Sequence, residues 1–318
     1  MRTMSHKSIR AVLTASFIVY PLAITPTLAG AEDGPARSRA EVVLASSDTV
    51  VDANAQFQLA ILGLTGKLGE NGRRDAIKRL HMAADKGHNA AAFALGTFYS
   101  RGNHVKADKA VAAKLFRAAA DRGDPQSQNA LAGLLLKGSG VRQSNAEAIK
   151  YFKKAAQSGS SAAKVNLGIL YIRGIGFRPN QYRGAMMIRE AAEAGFKGGQ
   201  FNLGVLLEAG IGIGADLTAA ADWYGKAAIQ GSNQAQYNLA LLKLRSDAGK
   251  VDPVSSLKWL FIASQGNDPS TREKARSASI KLAERLSKKQ ISEAGKIATD
   301  WIKRQKKTTT IAADSGER

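Results

Sequence analysis

The sequence predicts an all-α fold, a right-handed α/α superhelical solenoid of six 36-residue helix hairpins with a C-terminal helical cap. Three observations predict it. A leucine followed by a small residue recurs six times at a constant spacing of 36 residues. Glycines recur in the same register at expected helix ends, and alanine is abundant between them. A fixed period of this length in helix-favouring sequence is the pattern of a helical repeat protein.

The leucine belongs to the first helix of each repeat. The pairs are Leu59-Ala60, Leu95-Gly96, Leu131-Ala132, Leu167-Gly168, Leu203-Gly204 and Leu239-Ala240. In the fourth repeat this helix is predicted over residues 163–173, with Val165, Leu167 and Leu170 at core-facing spacing. Gly174 is predicted to end it, because glycine adopts the left-handed conformation without a Cβ clash.

The second helix of each repeat is expected to begin at a capping residue and to carry a bulky pair. The caps are Asp108, Ser144, Asn180, Asp216 and Asp252, all in one register. The pairs are Leu115-Phe116, Tyr151-Phe152, Met187-Ile188, Trp223-Tyr224 and Trp259-Leu260. We expect these pairs to fill the space between neighbouring repeats, since a single hairpin cannot bury its apolar face alone.

The stretch "GIGIG", residues 210–214, superficially resembles a phosphate-binding loop. A dinucleotide fingerprint needs its glycines after a strand and at the start of a helix. Here they follow the helix-favouring run "LGVLLEA", and the third glycine comes one residue early. The stretch is therefore predicted to be the turn between the two helices of the fifth repeat.

The domain boundaries follow from composition at the two ends. Residues 1–31 combine a basic start, an apolar run and an Ala-Gly-Ala site, the pattern of a cleavable secretory signal peptide. Residues 32–52 are predicted to be a flexible lead-in and 306–318 a disordered tail. The repeats occupy 53–267, and capping helices are expected over 268–305. With no cysteine and no later long apolar run, the mature chain is expected to be periplasmic or secreted, without a membrane span.

Two segments resemble the Sel-1-like repeat family, a tetratricopeptide-like solenoid family. They are "AKVNLGILYIRGIGF" from Ala163 and "AADWYGKAAIQG" from Ala220. The resemblance covers about residues 53–267. The first repeat departs from it, with Gly63 in place of the tyrosine, and the sixth lacks the turn glycines. The resemblance implies a protein that scaffolds complexes, modulates signalling receptors or interacts with host proteins.

Catalytic and metal-binding patterns are nearly missing from the sequence. No histidine beyond residue 31 has a histidine partner at metal-ligand spacing, and no H-E-x-x-H motif occurs. Two S-x-x-K matches occur, Ser161 with Lys164 and Ser255 with Lys258, but the accompanying S-D-N and K-T-G motifs of penicillin-recognising enzymes are not found. The sequence therefore predicts a non-enzymatic protein with no cofactor and no metal.

Four cations form a column in the repeat register: Arg101, Lys137, Arg173 and Arg245, each predicted as the last residue of a first helix. One interpretation is that they stabilise helix C-termini, an effect of about 0.3–1 kcal/mol each. The other is a ladder of positive charge that faces an anionic partner. Both interpretations are compatible.

A second candidate surface consists of polar residues on the first helices. Its members are Gln128, Lys164, Gln200 and Gln236. In related tetratricopeptide solenoids, first helices line the groove that binds peptides. The asparagine that peptide-clamping members carry just after the "LG" pair is replaced here by Thr97, Gly133, Ile169 and Val205.

The charge of the chain limits the class of partner. The chain carries 46 Lys and Arg against 26 Asp and Glu, a net charge of +20. Such a balance favours anionic partners. The predicted export signal and the lack of stacking aromatics argue against nucleic acid. The sequence thus predicts a protein-interaction scaffold or adaptor of the bacterial cell envelope, with an acidic protein or anionic envelope component as partner. A periplasmic regulator of a sensor kinase or other receptor is the first alternative. An enzyme acting on peptidoglycan or β-lactams is the second.

Overall fold

A computed structural model describes the backbone of residues 52–314 and the side chains of residues 52–305. Over that range the chain forms fourteen α-helices and one short 3-10 helix, and it contains no β-strand. The all-α prediction is confirmed. The predicted signal peptide and all but the last residue of the predicted lead-in lie outside the described residues.

The predicted helix pairs are present in every repeat. The first three repeats contain α1 (Ala53–Leu64), α2 (Gly69–Asp85), α3 (Asn89–Arg101), α4 (Lys109–Asp121), α5 (Pro125–Lys137) and α6 (Asn145–Gln157). The last three contain α7 (Ser161–Arg173), α8 (Gln181–Glu193), α9 (Lys197–Ala209), α10 (Leu217–Ile229), α11 (Asn233–Leu242) and α12 (Pro253–Ala263). The 3-10 helix Ser246–Ala248 separates α11 from α12, and the chain continues with α13 (Pro269–Ala283) and α14 (Lys288–Asp314).

The described chain divides into two compact units, one up to Ala163 and one from Lys164 onward. The first unit has a core of alanines around Leu80, Leu95 and Phe98. The second has a core that includes Ile188, Leu206 and other apolar residues of α7 to α14. Alanine at the helix crossings lets the backbones approach closely, which is how a chain with few aromatic residues builds a packed interior.

All five predicted caps of the second helices are confirmed. Each side chain accepts a hydrogen bond from a backbone N–H of the first turn, as Asp216 does from Ala219 at 2.8 Å. These bonds satisfy donors that the helix itself leaves unpaired. The repeat boundaries in the structure therefore follow directly from residue types in the sequence.

The bulky pairs pack differently from the prediction. Their second members are buried, and three of them, Phe116, Ile188 and Tyr224, lie against the "LG" glycine of the same hairpin and not only between repeats. A Cβ at Gly96 would lie 2.6 Å from the Phe116 ring, and one at Gly204 would lie 2.7 Å from the Tyr224 ring. Glycine at these positions gives the ring the space that a methyl group would occupy.

The three glycines of "GIGIG" have different roles. Gly210 ends α9 in the left-handed conformation, with φ of 65°. Gly212 also has a positive φ of 71°, and a Cβ there would clash with the carbonyl oxygen of Gln181 at the start of α8. Gly214 has open space around its Cα. The predicted turn is confirmed, and the second glycine additionally allows this turn to stack on the preceding repeat.

The C-terminal region contains the two predicted helices, with one difference at the end. Ser287 and Gln290 form a capping box, since each backbone N–H donates to the other side chain. The helix α14 continues to Asp314, so residues 306–314 are helical where a disordered tail was predicted. None of the described helices is both long enough and apolar enough to cross a membrane.

Candidate functional site

A concavity of about 270 Å³ lies in the second and third repeats, lined by α3, the start of α4 and α5. Its apolar floor includes Phe93, Phe116 and Leu134, which are each less than a tenth exposed. Phe93 and Phe116 pack with their ring centroids 5.7 Å apart. The floor is therefore rigid and shaped by core residues rather than by surface side chains.

Three exposed cations surround this floor. Arg101 and Lys137 are the last residues of α3 and α5, and Lys109 is the first residue of α4. None of the residues that line the concavity is a carboxylate. Three positive groups around one partly apolar hollow raise the local potential for an anion, because the protein wall has a lower dielectric than water.

Neutral polar groups complete the lining. Thr97 donates its hydroxyl hydrogen to the carbonyl oxygen of Phe93 at 2.9 Å, and it is thereby fixed. Ser100 and Gln126 are accessible, whereas Asn129 is only 3% exposed. Thr97 and Gly133, which replace the clamping asparagine of related solenoids, both line the concavity. Asn129 lies one helical turn before Gly133 and places an amide among the lining residues.

The positions of the cations depend on turn glycines. Gly102 and Gly138 adopt the left-handed conformation, with φ of 76° and 62°, and they end α3 and α5 directly after the cations. Gly140 packs so closely on the backbone of Lys109 that a Cβ would clash with its carbonyl group. This contact places the start of α4 against the turn of the next repeat.

Lys109 is the functional candidate that the sequence analysis missed. It stands directly after the cap Asp108, outside the register of the basic column. The equivalent residues in the next four repeats are Asn145, Gln181, Leu217 and Pro253, so no column of charge points to it. A search for a lysine beside a helix cap within a single repeat would have found it.

The predicted position at the end of a first helix is confirmed for Arg101, Lys137 and Arg173 and is wrong for Arg245. Arg173 is the exposed last residue of α7, as predicted. Arg245 is not the last residue of a first helix, because α11 ends at Leu242 and Arg245 precedes the 3-10 helix. The sixth repeat has no glycine at the turn position, so its chain leaves the helix three residues earlier. Arg101 and Lys137 belong to the first compact unit, whereas Arg173 and Arg245 belong to the second.

Arg245 is paired with two carboxylates. Its guanidinium donates two hydrogen bonds to Asp247, at 2.9 and 2.8 Å, and lies 3.6 Å from Glu208. The hydrogen bond to Asp247 and the nearby carboxylates raise the pKa of Arg245. Most of the charge of this residue is therefore already compensated within the protein.

Glu208 connects Arg245 to a buried tyrosine. Tyr224 donates its hydroxyl hydrogen to Glu208 at 2.9 Å and accepts a hydrogen bond from Asn238 at 3.1 Å. Burial, together with the charge of Glu208, raises the pKa of Tyr224 well above its ordinary value. Asn238 thus contacts a side chain of the neighbouring helix.

The predicted polar binding surface on the first helices is wrong for its glutamines. Gln128, Gln200 and Gln236 are at most 6% exposed. Each directs its amide nitrogen at a backbone carbonyl eight residues earlier, those of Ala120, Ala192 and Ala228, at 3.1, 3.5 and 3.1 Å. These carbonyls lie near the C-terminal ends of second helices, where the helix provides no partner. The glutamines therefore join consecutive helices and are not available to a partner.

Lys164 occupies the same register in the fourth repeat and behaves differently. Its ammonium lies 2.9 Å from Glu190 in a partly exposed ion pair. An exposed pair of this kind contributes only about 0–1 kcal/mol. Lys164 is accessible, but its charge is opposed by that carboxylate.

The described part of the chain holds no group of three or more histidine, cysteine, aspartate or glutamate residues that could bind a metal. Ser161 begins α7, and Ser255 donates its backbone N–H to the cap Asp252 at 2.8 Å. His81 is partly buried, and its Nε2 lies 3.2 Å from the Tyr99 hydroxyl.

Comparison with known proteins identifies the repeats. The family model for the Sel1 repeat matches residues 53–88, 89–124, 125–160, 161–196, 198–232 and 233–268. Comparison with curated proteins gave no match.

Two solved structures resemble this chain over most of its length. One is a protective antigen present in uropathogenic Escherichia coli strains, described as displaying an SLR fold. It is 27% identical, with a TM-score of 0.69, and the match covers 83% of this chain and 56% of the antigen. This chain therefore spans little more than half the length of that protein. The other is a Sel1 repeat protein from Oxalobacter formigenes, 24% identical, with a TM-score of 0.66 over 73% of this chain and 94% of the other. The second likeness concerns the fold alone.

Proposed function

Because this chain belongs to the Sel1 repeat family, whose members are in general protein-interaction scaffolds, we propose that it is a non-enzymatic adaptor of the bacterial cell envelope. In this proposal the concavity of the second and third repeats holds an acidic segment of a partner protein.

The observation that carries the proposal is the composition of the concavity. It combines Arg101, Lys109 and Lys137 with an apolar floor and has no lining carboxylate. A volume of about 270 Å³ is below the usual range for cofactor pockets, which is about 300–1,000 Å³. It suits one or two side chains of a bound segment. An acidic residue beside an aliphatic or aromatic one matches both parts of the lining.

A site-specific crosslink tests the proposal directly. Gln126 is exposed and lines the concavity, so a photoreactive amino acid placed there should capture the partner in cells. Lys114 is exposed on α4 outside the concavity and is the control position. Mass spectrometry should identify a protein captured at 126 but not at 114. Equal capture at both positions would argue against a specific concavity.

The charge requirement is tested with two matched triple variants. Arg101→Gln, Lys109→Gln and Lys137→Gln together should lower the affinity for the captured partner by about tenfold or more and weaken its salt dependence. Lys150→Gln, Lys153→Gln and Lys154→Gln remove the same charge from α6 and should change the affinity by about twofold at most. An equal loss in both variants would mean that only bulk charge matters. If binding is unchanged and the melting temperature falls, the three cations contribute to helix stability and not to partner binding.

The envelope location is a separate part of the proposal. It is supported by the basic and apolar N-terminal sequence, by the Ala-Gly-Ala site and by the lack of cysteine in the whole chain. Sequencing the N-terminus of the protein purified from cells should give a chain that begins after Ala31. A protein that retains Met1 and fractionates with the cytoplasm would overturn the envelope location. The binding surface is tested separately, by the crosslinking experiment.

A further inference from the structure

A second and larger concavity, of about 610 Å³, lies near the C-terminal end of the described chain. It is formed by the segment that connects α11 to α12, by the first turns of α12 and by α14. It shares no residue with the concavity of the second and third repeats. An inference about it is therefore independent of the proposed function.

Three lysines line this concavity: Lys243, Lys250 and Lys258. Lys258 is partly buried, with its ammonium 4.1 Å from the centroid of the Trp259 ring. Burial lowers the pKa of Lys258, and the charge of Lys243 lowers it further, whereas Asp252 raises it. Two ammonium groups that repel one another across a hollow provide a favourable position for an anion.

The two carboxylates of the lining do not cancel these charges equally. Asp252 is occupied as the cap of α12, because its side chain accepts a hydrogen bond from the backbone N–H of Ser255 at 2.8 Å. Glu293 is exposed on α14. It is the group of the rim that would oppose an incoming anion.

The same concavity exposes aliphatic surface. Val251 is 44% exposed and Ile297 is 42% exposed, and both line it together with Pro253 and Val254. Large aliphatic side chains left in water on two different elements of one hollow suggest an apolar ligand group. The lining contains no asparagine, glutamine or arginine to bond with a peptide backbone. In this respect it differs from the concavity of the second and third repeats.

We propose that this concavity binds one molecule of a single-chain amphiphile with an anionic head. The lysines hold the head, and Val251, Val254 and Ile297 contact the aliphatic chain. Lysine is suited to phosphate or carboxylate heads, since its ammonium is a compact charge that needs no fixed bidentate geometry. The site requires only that the head group of the amphiphile is negatively charged.

Binding is measured by calorimetry and by tryptophan fluorescence, with every probe below its critical micelle concentration. Trp259 reports directly, because it contacts Lys258 and lies 5.7 Å from Trp301. Dodecyl phosphate and laurate should both bind, which separates negative charge from a requirement for phosphate. Butyl phosphate should bind at least tenfold more weakly, because each buried methylene contributes about fourfold. Uncharged dodecyl maltoside should bind at least tenfold more weakly than dodecyl phosphate.

Variants divide the site into its two parts. Lys243→Gln with Lys258→Gln should weaken dodecyl phosphate about tenfold, and Val251→Ser with Ile297→Ser should remove most of the preference for the longer chain. Glu293→Gln should strengthen anion binding about threefold by removing the opposing charge. Lys281→Gln with Ile280→Ser is the control, since both residues are exposed on α13 outside the concavity. It should change nothing by more than about twofold.

Three results would overturn the proposal. Equal binding of dodecyl maltoside and dodecyl phosphate would leave only a nonspecific apolar surface. Equal binding of butyl and dodecyl phosphate would remove the role of the aliphatic wall. Unchanged binding in the lysine variant, with the circular dichroism of the folded protein retained, would place the amphiphile elsewhere.

Discussion

The third and sixth repeats carry a cation at the same sequence position and use it in opposite ways. Lys137 ends α5 and faces a concavity without a lining carboxylate. Arg245 leaves its helix early and pairs with Asp247 and Glu208. Glu208 lies 37 residues before Arg245 in the sequence. The residue 37 positions before Lys137 is Ser100, which is neutral and lines the same concavity.

The difference shows that a column of charge in a repeat protein is not by itself a surface. Two local features differ between the two cations. Lys137 is followed by a turn glycine that keeps it at the helix end, and the residue 37 positions earlier is neutral for Lys137 but a carboxylate for Arg245. Both features are single residues, so each can be exchanged between the repeats.

The largest effect is expected when the turn of the third repeat is broken. Gly140→Ala places a methyl group against the carbonyl of Lys109 at a φ of 73°, and we expect a loss of about 3 kcal/mol in the free energy of unfolding. Gly214→Ala is the control, because its Cβ meets nothing within 4 Å. Urea unfolding of both variants measures this difference. Equal stability of the two would show that the close turn does not constrain the repeat stack.

The second experiment gives the third repeat the carboxylate of the sixth. Ser100→Glu should place a negative charge beside Lys137 and lower the affinity for the acidic partner about tenfold, at unchanged stability. Ser100→Gln has nearly the same size without the charge and should bind like the unmodified protein. If both variants lose affinity equally, bulk at this position matters and the charge comparison fails.

The second and third repeats also differ in the residue that caps their first helix, and this difference should make their stability depend differently on pH. His88 caps α3 by accepting a hydrogen bond from the N–H of Ala91 at 3.1 Å, whereas Asp124 caps α5. Burial, partly through stacking on Phe57, lowers the pKa of His88 below 6.5, and Asp52 opposes this effect. The unfolded chain therefore takes up a proton at higher pH than the folded chain. The stability that the neutral cap provides is complete above pH 6.5 and is lost as the pH falls below it.

Replacement of His88 by asparagine isolates the contribution of the histidine cap to the pH dependence of stability. His88→Asn retains a capping acceptor that does not titrate, so its unfolding free energy should fall less between pH 7 and pH 5 than that of the unmodified protein, by about 0.5–1 kcal/mol. Chemical unfolding at the two pH values measures the difference. Identical pH dependence in both proteins would assign the effect to other groups.

The smallest effect is expected when Arg245 is released from its partners. Glu208→Gln with Asp247→Asn keeps acceptors for Tyr224 and Arg245 but removes both charges. The variant should bind poly-glutamate about twice as tightly at low salt, and the gain should vanish at 1 M salt. Adding Arg245→Gln should cancel the gain. A gain that survives this third substitution would come from net charge and not from Arg245.

Much of the fold could be predicted because its causes are local. The caps Asp108 and Asp216 and the turn glycine Gly210 act within one helix turn, so residue type and register identify them. The glutamines Gln128, Gln200 and Gln236 could not be interpreted in this way. Their burial against carbonyls of the preceding helix depends on how two helices pack, and a polar side chain in a regular register predicts surface and interior contacts equally well.

The sequence by itself determined the all-helical repeat architecture, its 36-residue period, the helix caps and the excess of positive charge, because each of these depends on residue type and spacing alone. Only the tertiary structure decided which charges lie together on one surface and which are paired within the protein. It brought Lys109 from another register beside Arg101 and Lys137, and it joined Arg245 to Glu208 across 37 residues of chain. Electrostatic contacts depend on distances between side chains of different helices, and those distances exist only after the helices have packed.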